Sequence, residues 1–136
     1  MPASVRVSRV VLTQILEHAR SNPGLECCGL LAGKAASITH IFPARNVLAS
    51  STAYEIASAE LFALFRETRA AGLECTGIYH SHPRGDNTPS GTDLKLAYYP
   101  DAAYFIVSPL LGAPKPVRAF RIYDGGFSEM EIAIIE

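Results

Sequence analysis

Charge of one sign is largely missing from this sequence: Lys and Arg total 12, Asp and Glu total 13, and the net charge is −1. The basic residues are dispersed, so the balance argues against a protein whose main work is gripping nucleic-acid phosphates or an anionic membrane surface. No run of about 18 apolar residues occurs, and no transmembrane helix is expected. Met1 to Arg6 does not open on a charged stretch followed by an apolar core, so no signal peptide is expected. Cysteine is scarce. Three residues, with Cys27 and Cys28 adjacent, make an odd count that does not read as a secreted disulfide framework. These absences make cytoplasmic residence the expectation. Repeats, low-complexity tracts and long linkers are also absent, so residues 1–136 read as one domain. What remains is 49% hydrophobic and 18% charged, which supplies a core and excludes disorder along the whole chain.

Hydrophobic spacing divides the chain into short elements. Ser8 is placed to cap a helix in which Val11, Leu12, Ile15, Leu16 and Ala19 recur at helical spacing up to Arg20, and Asn22-Pro23-Gly24 stops it. Residues 25–33 and 37–43 read as strands around a turn at Gly33-Lys34, the first apolar enough to be covered on both faces. Residues 45–57 form a polar connection with a strand-like piece at Tyr54-Glu55-Ile56. Ser58 is placed to cap a helix over 59–71, with Leu61, Phe62, Leu64 and Phe65 inward. A strand over 74–82, a loop over 83–89 and a short helix over 91–99 follow. Strands at 104–108, 117–123 and 127–135 complete the set, the last two joined at Gly125-Gly126. The order predicts a mixed α/β arrangement, a mixed sheet with helices packed on it, not a doubly wound parallel sheet.

The chemistry concentrates in His80-Ser81-His82-Pro83, Pro89-Ser90 and Asp93. The chain has four His, and two of them stand at i and i+2 at the end of an apolar strand. Side chains so spaced share one face of a strand, so both imidazoles can reach one point, as ligands of Zn²⁺ do. Asp93 supplies a third ligand, brought back by the intervening loop. Three protein ligands leave one tetrahedral position open for water, the pattern of catalytic zinc, which acidifies water and polarises a carbonyl. Hydrolysis also needs a base. Glu26, the one charge leading into Cys27-Cys28-Gly29-Leu30-Leu31, is the candidate, and partial burial would raise its pKa. Ser90 is the candidate donor to a developing oxyanion.

Glu26, His80-Ser81-His82-Pro83, Pro89-Ser90 and Asp93 together resemble the JAMM motif of the MPN/Mov34 metalloprotease family. Glu26 to Gly33, the lead-in Ile78-Tyr79 and Asn46 resemble its bacterial and archaeal members. The resemblance spans about residues 8 to 125. It implies a curved mixed sheet between helices, of the JAB-like, cytidine-deaminase-like kind. It implies one Zn²⁺ held by His80, His82 and Asp93, with Glu26 as general acid/base and Ser90 steadying the tetrahedral intermediate. Family members cleave after the C-terminal Gly-Gly of ubiquitin or ubiquitin-like proteins. Small stand-alone members trim ubiquitin-like sulfur-carrier proteins, exposing the Gly-Gly end for thiocarboxylation. Residues 109–116 are too short for the insertion by which eukaryotic relatives select linked ubiquitin. An extended carrier tail is expected to pair with a strand edge in residues 50–58, around Tyr54, in an approach narrow enough to favour Gly-Gly.

Plainer readings stand beside these. His80 and His82 are also readable as satisfied histidines, Ser90 to Asp93 as a capping box alone, and Glu26 as an exposed strand start. Asp86 is a rival third ligand, or a solvated turn residue. Cys27, Cys28 and Cys75 read as small buried residues, His18 and His40 as unpartnered surface residues, and Phe62, Phe65, Tyr98 and Tyr99 as core or helix-face aromatics. Two other functions compete: a non-catalytic scaffold of the same fold, and a DNA-associated protein of the RadC type, whose His-X-His-Pro, Pro-Ser and Asp pattern is similar.

Overall fold

The central strands are apolar on both faces, and different helices cover the two sides. The computed structural model describes residues 4–136; Met1 to Ala3, part of the stretch read for a leader, lie outside the described residues. The strands are β1 (Ser4–Ser8), β2 (Cys28–Gly33), β3 (Ser37–Ile38), β4 (His40–Ala44), β5 (Glu74–Ser81), β6 (Ala103–Val107), β7 (Val117–Tyr123) and β8 (Gly126–Ile135). They form one eight-stranded sheet in the order β3-β1-β8-β7-β6-β5-β2-β4. β1 runs parallel to β3 and β8, and β5 runs parallel to β6. The other pairs are antiparallel. The mixed sheet expected from the element order is therefore present.

Alternation along the strands sorts the core. Leu31, Tyr79, Phe105, Val107 and Ala119 face α1 (Arg9–Ser21), which contributes Val11, Ile15 and Ala19. Leu30, Ile78, Tyr104, Ile106 and Phe120 face the opposite side. There Leu61, Leu64 and Phe65 of α2 (Ser58–Ala70) and Leu94 of α3 (Gly91–Lys95) cover them. Each fully buried Leu, Ile or Phe on either side contributes about 1.5–3 kcal/mol relative to exposure. His80 continues the Ile78 row, so the α3 side of the sheet is the side on which the histidines emerge. Among the described residues no helix is long and apolar enough to cross a membrane.

Several expectations are corrected. β1 carries only two buried residues, Val5 and Val7. Its strand state comes from parallel partners remote in sequence, which no local pattern reports. Residues 54–56 are not a strand. Phe62, expected inward, is 66% exposed, because Leu61, Leu64 and Phe65 already fill the face of α2 toward the sheet. Ser8 and Ser58 make no capping bond; Ala57, not Ser58, precedes α2. α3 stops at Lys95 rather than Tyr99, which leaves Tyr98 exposed. His18 is not an unpartnered surface residue: it is half-buried, and its Nδ1 lies 2.7 Å from the hydroxyl of the fully buried Tyr79. That Tyr79 ring lies across Gly29, where an added Cβ would stand 2.5 Å from it, so the close crossing of β2 and β5 requires glycine.

Candidate metal centre

β5 lies between β2 and β6, in register with Cys28 opposite His80 on one side and Ile106 opposite His80 on the other. His82, one residue beyond the strand, is kept in line by its N–H, which donates to the Val107 carbonyl at 2.9 Å. The chain then turns, with the Gly85 N–H returning to the His82 carbonyl at 3.0 Å. Asn87 is buried and donates its amide to the Lys115 and Ile106 carbonyls, which anchors the loop. The loop ends in a full capping box. The Ser90 hydroxyl accepts from the Asp93 N–H at 3.0 Å, and Asp93 Oδ2 accepts from the Ser90 N–H at 2.9 Å. The carboxylate is thus held by the first turn of α3 and aimed back over the strand end.

The three side chains converge. His80 Nε2 lies 3.2 Å from His82 Nε2 and 3.1 Å from Asp93 Oδ1, and His82 Nε2 lies 3.0 Å from Asp93 Oδ2. All three are largely withdrawn from solvent, with side-chain exposures of 1%, 13% and 7%. His82 Nδ1 donates to the Asp86 carbonyl. That bond makes Nδ1 a donor, which leaves Nε2 to ligate a cation or, when protonated, to donate to Asp93. Asp86, the rival ligand, therefore enters through its main chain, while its carboxylate accepts from the Thr88 hydroxyl. Two imidazole nitrogens this close would repel as bare lone pairs; a shared cation between them and the carboxylate removes the conflict. The donor set, two nitrogens and a carboxylate gathered within 4.8 Å, can hold a metal ion. Burial opposes a charged Asp93, but hydrogen bonds from both imidazoles outweigh it and hold the carboxyl far below the usual range. Burial likewise opposes charge on both histidines. It prevails at His80, which is lowered, and is outweighed at His82 by Asp93 and the Asp86 carbonyl.

Glu26 is 3% exposed and precedes β2 in an extended connection, not in the strand itself. Its main chain is gripped from several directions. The Glu26 N–H donates to the Ser50 carbonyl at 2.8 Å, and its carbonyl accepts from Asn46 Nδ2 at 3.0 Å. The next N–H, of Cys27, donates to Ser81 Oγ at 2.8 Å. Ser81, between the two histidines, faces the opposite way by strand alternation and so fastens the Glu26 segment to β5. The sequence pattern alone gives neither Ser81 nor Asn46 this role. The alternation of His-X-His was the available signal for the first. Glu26 Oε1 is buried with no hydrogen-bond partner. Burial raises the carboxyl to about 7, with His82 lowering it and Asp93 raising it. Glu26 is therefore a proton acceptor and donor near neutrality.

This shift has a measurable sign. The folded state keeps its proton on Glu26 up to about 7, whereas the unfolded chain releases it near 4.5. Between those values the folded state binds more protons, so stability falls as pH rises, by about 3 kcal/mol in all. Urea unfolding in chelator from pH 4.5 to 8 should show Glu26→Gln gaining on the wild type across that window and then running level. Parallel profiles would remove the perturbed carboxyl.

Two remaining residues complete the site. The Ser90 hydroxyl accepts from Asp93, and among the described residues its own proton has no acceptor, so it is free to donate. Tyr54 is stacked on His80, centroids 4.6 Å apart and planes 22° apart. Its segment is extended without a strand partner. Glu55 N–H and Ala53 C=O both bond to the Asn46 side chain, and the Glu55 carbonyl accepts from Val47 N–H. Among the described residues no hydrogen bond uses the main chain of Tyr54 or Ile56. Alternate residues thus face inward and outward, as at a sheet edge. Of the cysteines, Cys27 and Cys28 are buried and free, and Cys75 is half-buried. Burial raises all three thiols, Cys28 to about 12, which keeps them unreactive.

Comparison with known proteins bears on this geometry. Residues 8–123 match the family described as prokaryotic homologs of the JAB domain. A desampylase of Haloferax volcanii is 38% identical over 73% of this chain and 73% of its own. A CysO-cysteine peptidase of Mycobacterium tuberculosis is 36% identical over 93% of this chain and 88% of its own. A JAB1/MPN domain protein of Archaeoglobus fulgidus shares the fold, with TM-score 0.65 and 22% identity over 98% of both chains.

Proposed function

The chain belongs to the prokaryotic homologues of the JAB domain and is a hydrolase of the JAMM type, and on that footing we propose that it is a zinc peptidase. It cleaves after the C-terminal Gly-Gly of a small ubiquitin-like carrier protein. The observation that carries this reading is the convergence of His80, His82 and Asp93 beside a buried Glu26 poised near pH 7. A scaffold without activity would have no use for a carboxyl held at that cost next to gathered ligand atoms. The relatives named above are called a desampylase and a CysO-cysteine peptidase, which favours a ubiquitin-like substrate over a general protein.

His80 and His82 through Nε2, and Asp93 through its carboxylate, would hold the ion. Bound Zn²⁺ supplies Lewis-acid polarisation of the scissile carbonyl and lowers the pKa of water. Glu26 takes a proton from the attacking water and returns it to the leaving amine, a cycle suited to a group half-ionised at neutral pH. Ser90 donates a hydrogen bond from its free hydroxyl to the carbonyl oxygen as charge develops there. Tyr54 presents the outward main chain of its segment, with that of Ile56, to an extended tail. Pairing main chain to main chain places the Gly-Gly beside His80.

The test is intact-mass analysis of ubiquitin-like carriers extended beyond Gly-Gly, incubated with zinc-loaded enzyme. The extension should disappear at the Gly-Gly junction, and chelator should prevent it. Carriers left whole at high enzyme concentration would defeat the reading. Ser90→Ala should lower turnover about ten- to a thousandfold with metal content unchanged, and stability should fall by about 1 kcal/mol from the lost cap. Wild-type turnover in that variant would leave Ser90 a cap and nothing more.

A further inference from the structure

The loop that carries His82 has a second side. On one side its Asp86 carbonyl holds the His82 ring. On the other, Arg84 and Gly85 line an open pocket of about 480 Å³ whose far wall includes Leu110 and Lys115. Asn87 ties the two walls together through the Lys115 carbonyl at 2.7 Å. Arg118 also reaches this pocket but is offset by Glu129, at 2.7 Å. Arg84 and Lys115 are exposed, and among the described residues neither pairs with a carboxylate. Asp86, the acid of the loop, accepts from the Thr88 hydroxyl, and Glu129 acts on Lys115 as well as on Arg118, so three cations here face two carboxylates. Ser108, fully buried in the same wall, has a hydroxyl with no hydrogen-bond partner. An excess of cations and an unpartnered hydroxyl around one cavity suit a small anionic group rich in acceptors.

We propose that this pocket receives the free C-terminal carboxylate of the segment released from the substrate, so that the enzyme removes short C-terminal extensions in preference to side-chain-linked proteins. The proposal rests on the tail-processing reading above. Tyr54 and the outward main chain of its segment flank His80, while the loop from Pro83 flanks His82. A tail laid on the first and crossing the ligands continues over the second. Residues beyond the cut then meet Arg84 and Lys115. Both side chains are long and hinged, and Arg84 stands two residues after His82, which suits a carboxylate a short way past the cut. The Arg84 guanidinium matches a carboxylate in two-point geometry, and Lys115 adds a point charge. A folded protein attached through a lysine side chain brings a bulky body there and no terminal carboxylate.

The probe is a ubiquitin-fold carrier ending in Gly-Gly-Ala, prepared with a free terminal carboxylate and as the terminal amide. Zinc-loaded wild type should cleave the acid with kcat/KM about tenfold above the amide. The preference should shrink at high salt and vanish in Arg84→Gln/Lys115→Gln. Equal rates in the wild type, or a preference that survives the double substitution, would overturn the proposal. So would faster cleavage of the same carrier joined by an isopeptide bond to a folded partner. Calorimetric binding to Glu26→Gln gives a readout apart from turnover. There the acid should bind about tenfold tighter than the amide, and the added Arg84→Gln/Lys115→Gln should erase the difference. If neither carrier is cleaved but that difference stands, the peptidase reading falls and the pocket assignment holds. If both are cleaved and bound alike, the pocket assignment falls and the peptidase reading holds.

Discussion

Asp93→Ala and His82→Ala should each lose bound zinc and turnover together. A three-ligand site deprived of one ligand keeps two donors, and affinity should drop by well over the ~100-fold that loss of a mere supporting contact costs. The two substitutions differ in their side effects. Asp93 also accepts the Ser90 N–H in the capping box, so its removal should destabilise the fold by about 1 kcal/mol. Asp93→Asn separates the roles: an amide oxygen still accepts from Ser90, but the charge between the two imidazoles is gone. Asp93→Asn should therefore keep the capping box and the wild-type fold, be less stable only by the lost charge and the lost ion, and fail to hold metal. Zinc content by elemental analysis, read beside thermal unfolding on the same preparations, decides it. Full zinc and wild-type turnover in either alanine variant would break the ligand assignment.

Glu26→Gln should do the opposite, keeping zinc and losing hydrolysis. Glutamine fills the same space and its neighbours still hold the main chain through Ser50 and Asn46. Only the proton-carrying oxygen is lost. General acid–base catalysis contributes about 10²–10⁴-fold, and the variant should fall by that much. Metal content and turnover must be measured on one sample, because zinc loss on substitution would make Glu26 a ligand or a support for one. Together with the urea profiles, this isolates the carboxyl that burial lifts to about 7. An enzyme relying on it should lose activity below that pH, as Glu26 holds its proton and can no longer accept one.

The ligand set was readable because it is local. His80 and His82 are two apart on a strand whose apolar run is plain, and Asp93 stands three after Ser90 in a capping pattern. The β7 boundaries, Val117 and Tyr123, also follow from pattern alone. Glu26 was legible as a residue type, a lone acid entering an apolar run, but not as geometry. It was expected within a strand and lies before one, and the burial that perturbs it comes from elements distant in sequence. Asp86 shows the same limit. Spacing allowed it as a ligand, yet only the folded loop shows that its carbonyl, and not its carboxylate, serves His82.

The covalent order of the chain determined which side chains could share a face and where a short helix could begin, because strand and helix periods are properties of neighbouring residues. Only tertiary structure decided what they meet. β1 exists by pairing with β3 and β8, His18 finds Tyr79 across the core, and Ser81 and Asn46 clamp Glu26 from different elements. Contacts between segments far apart in sequence depend on how the strands and helices assemble, and burial, which shifts each proton's affinity, is a property of that assembly.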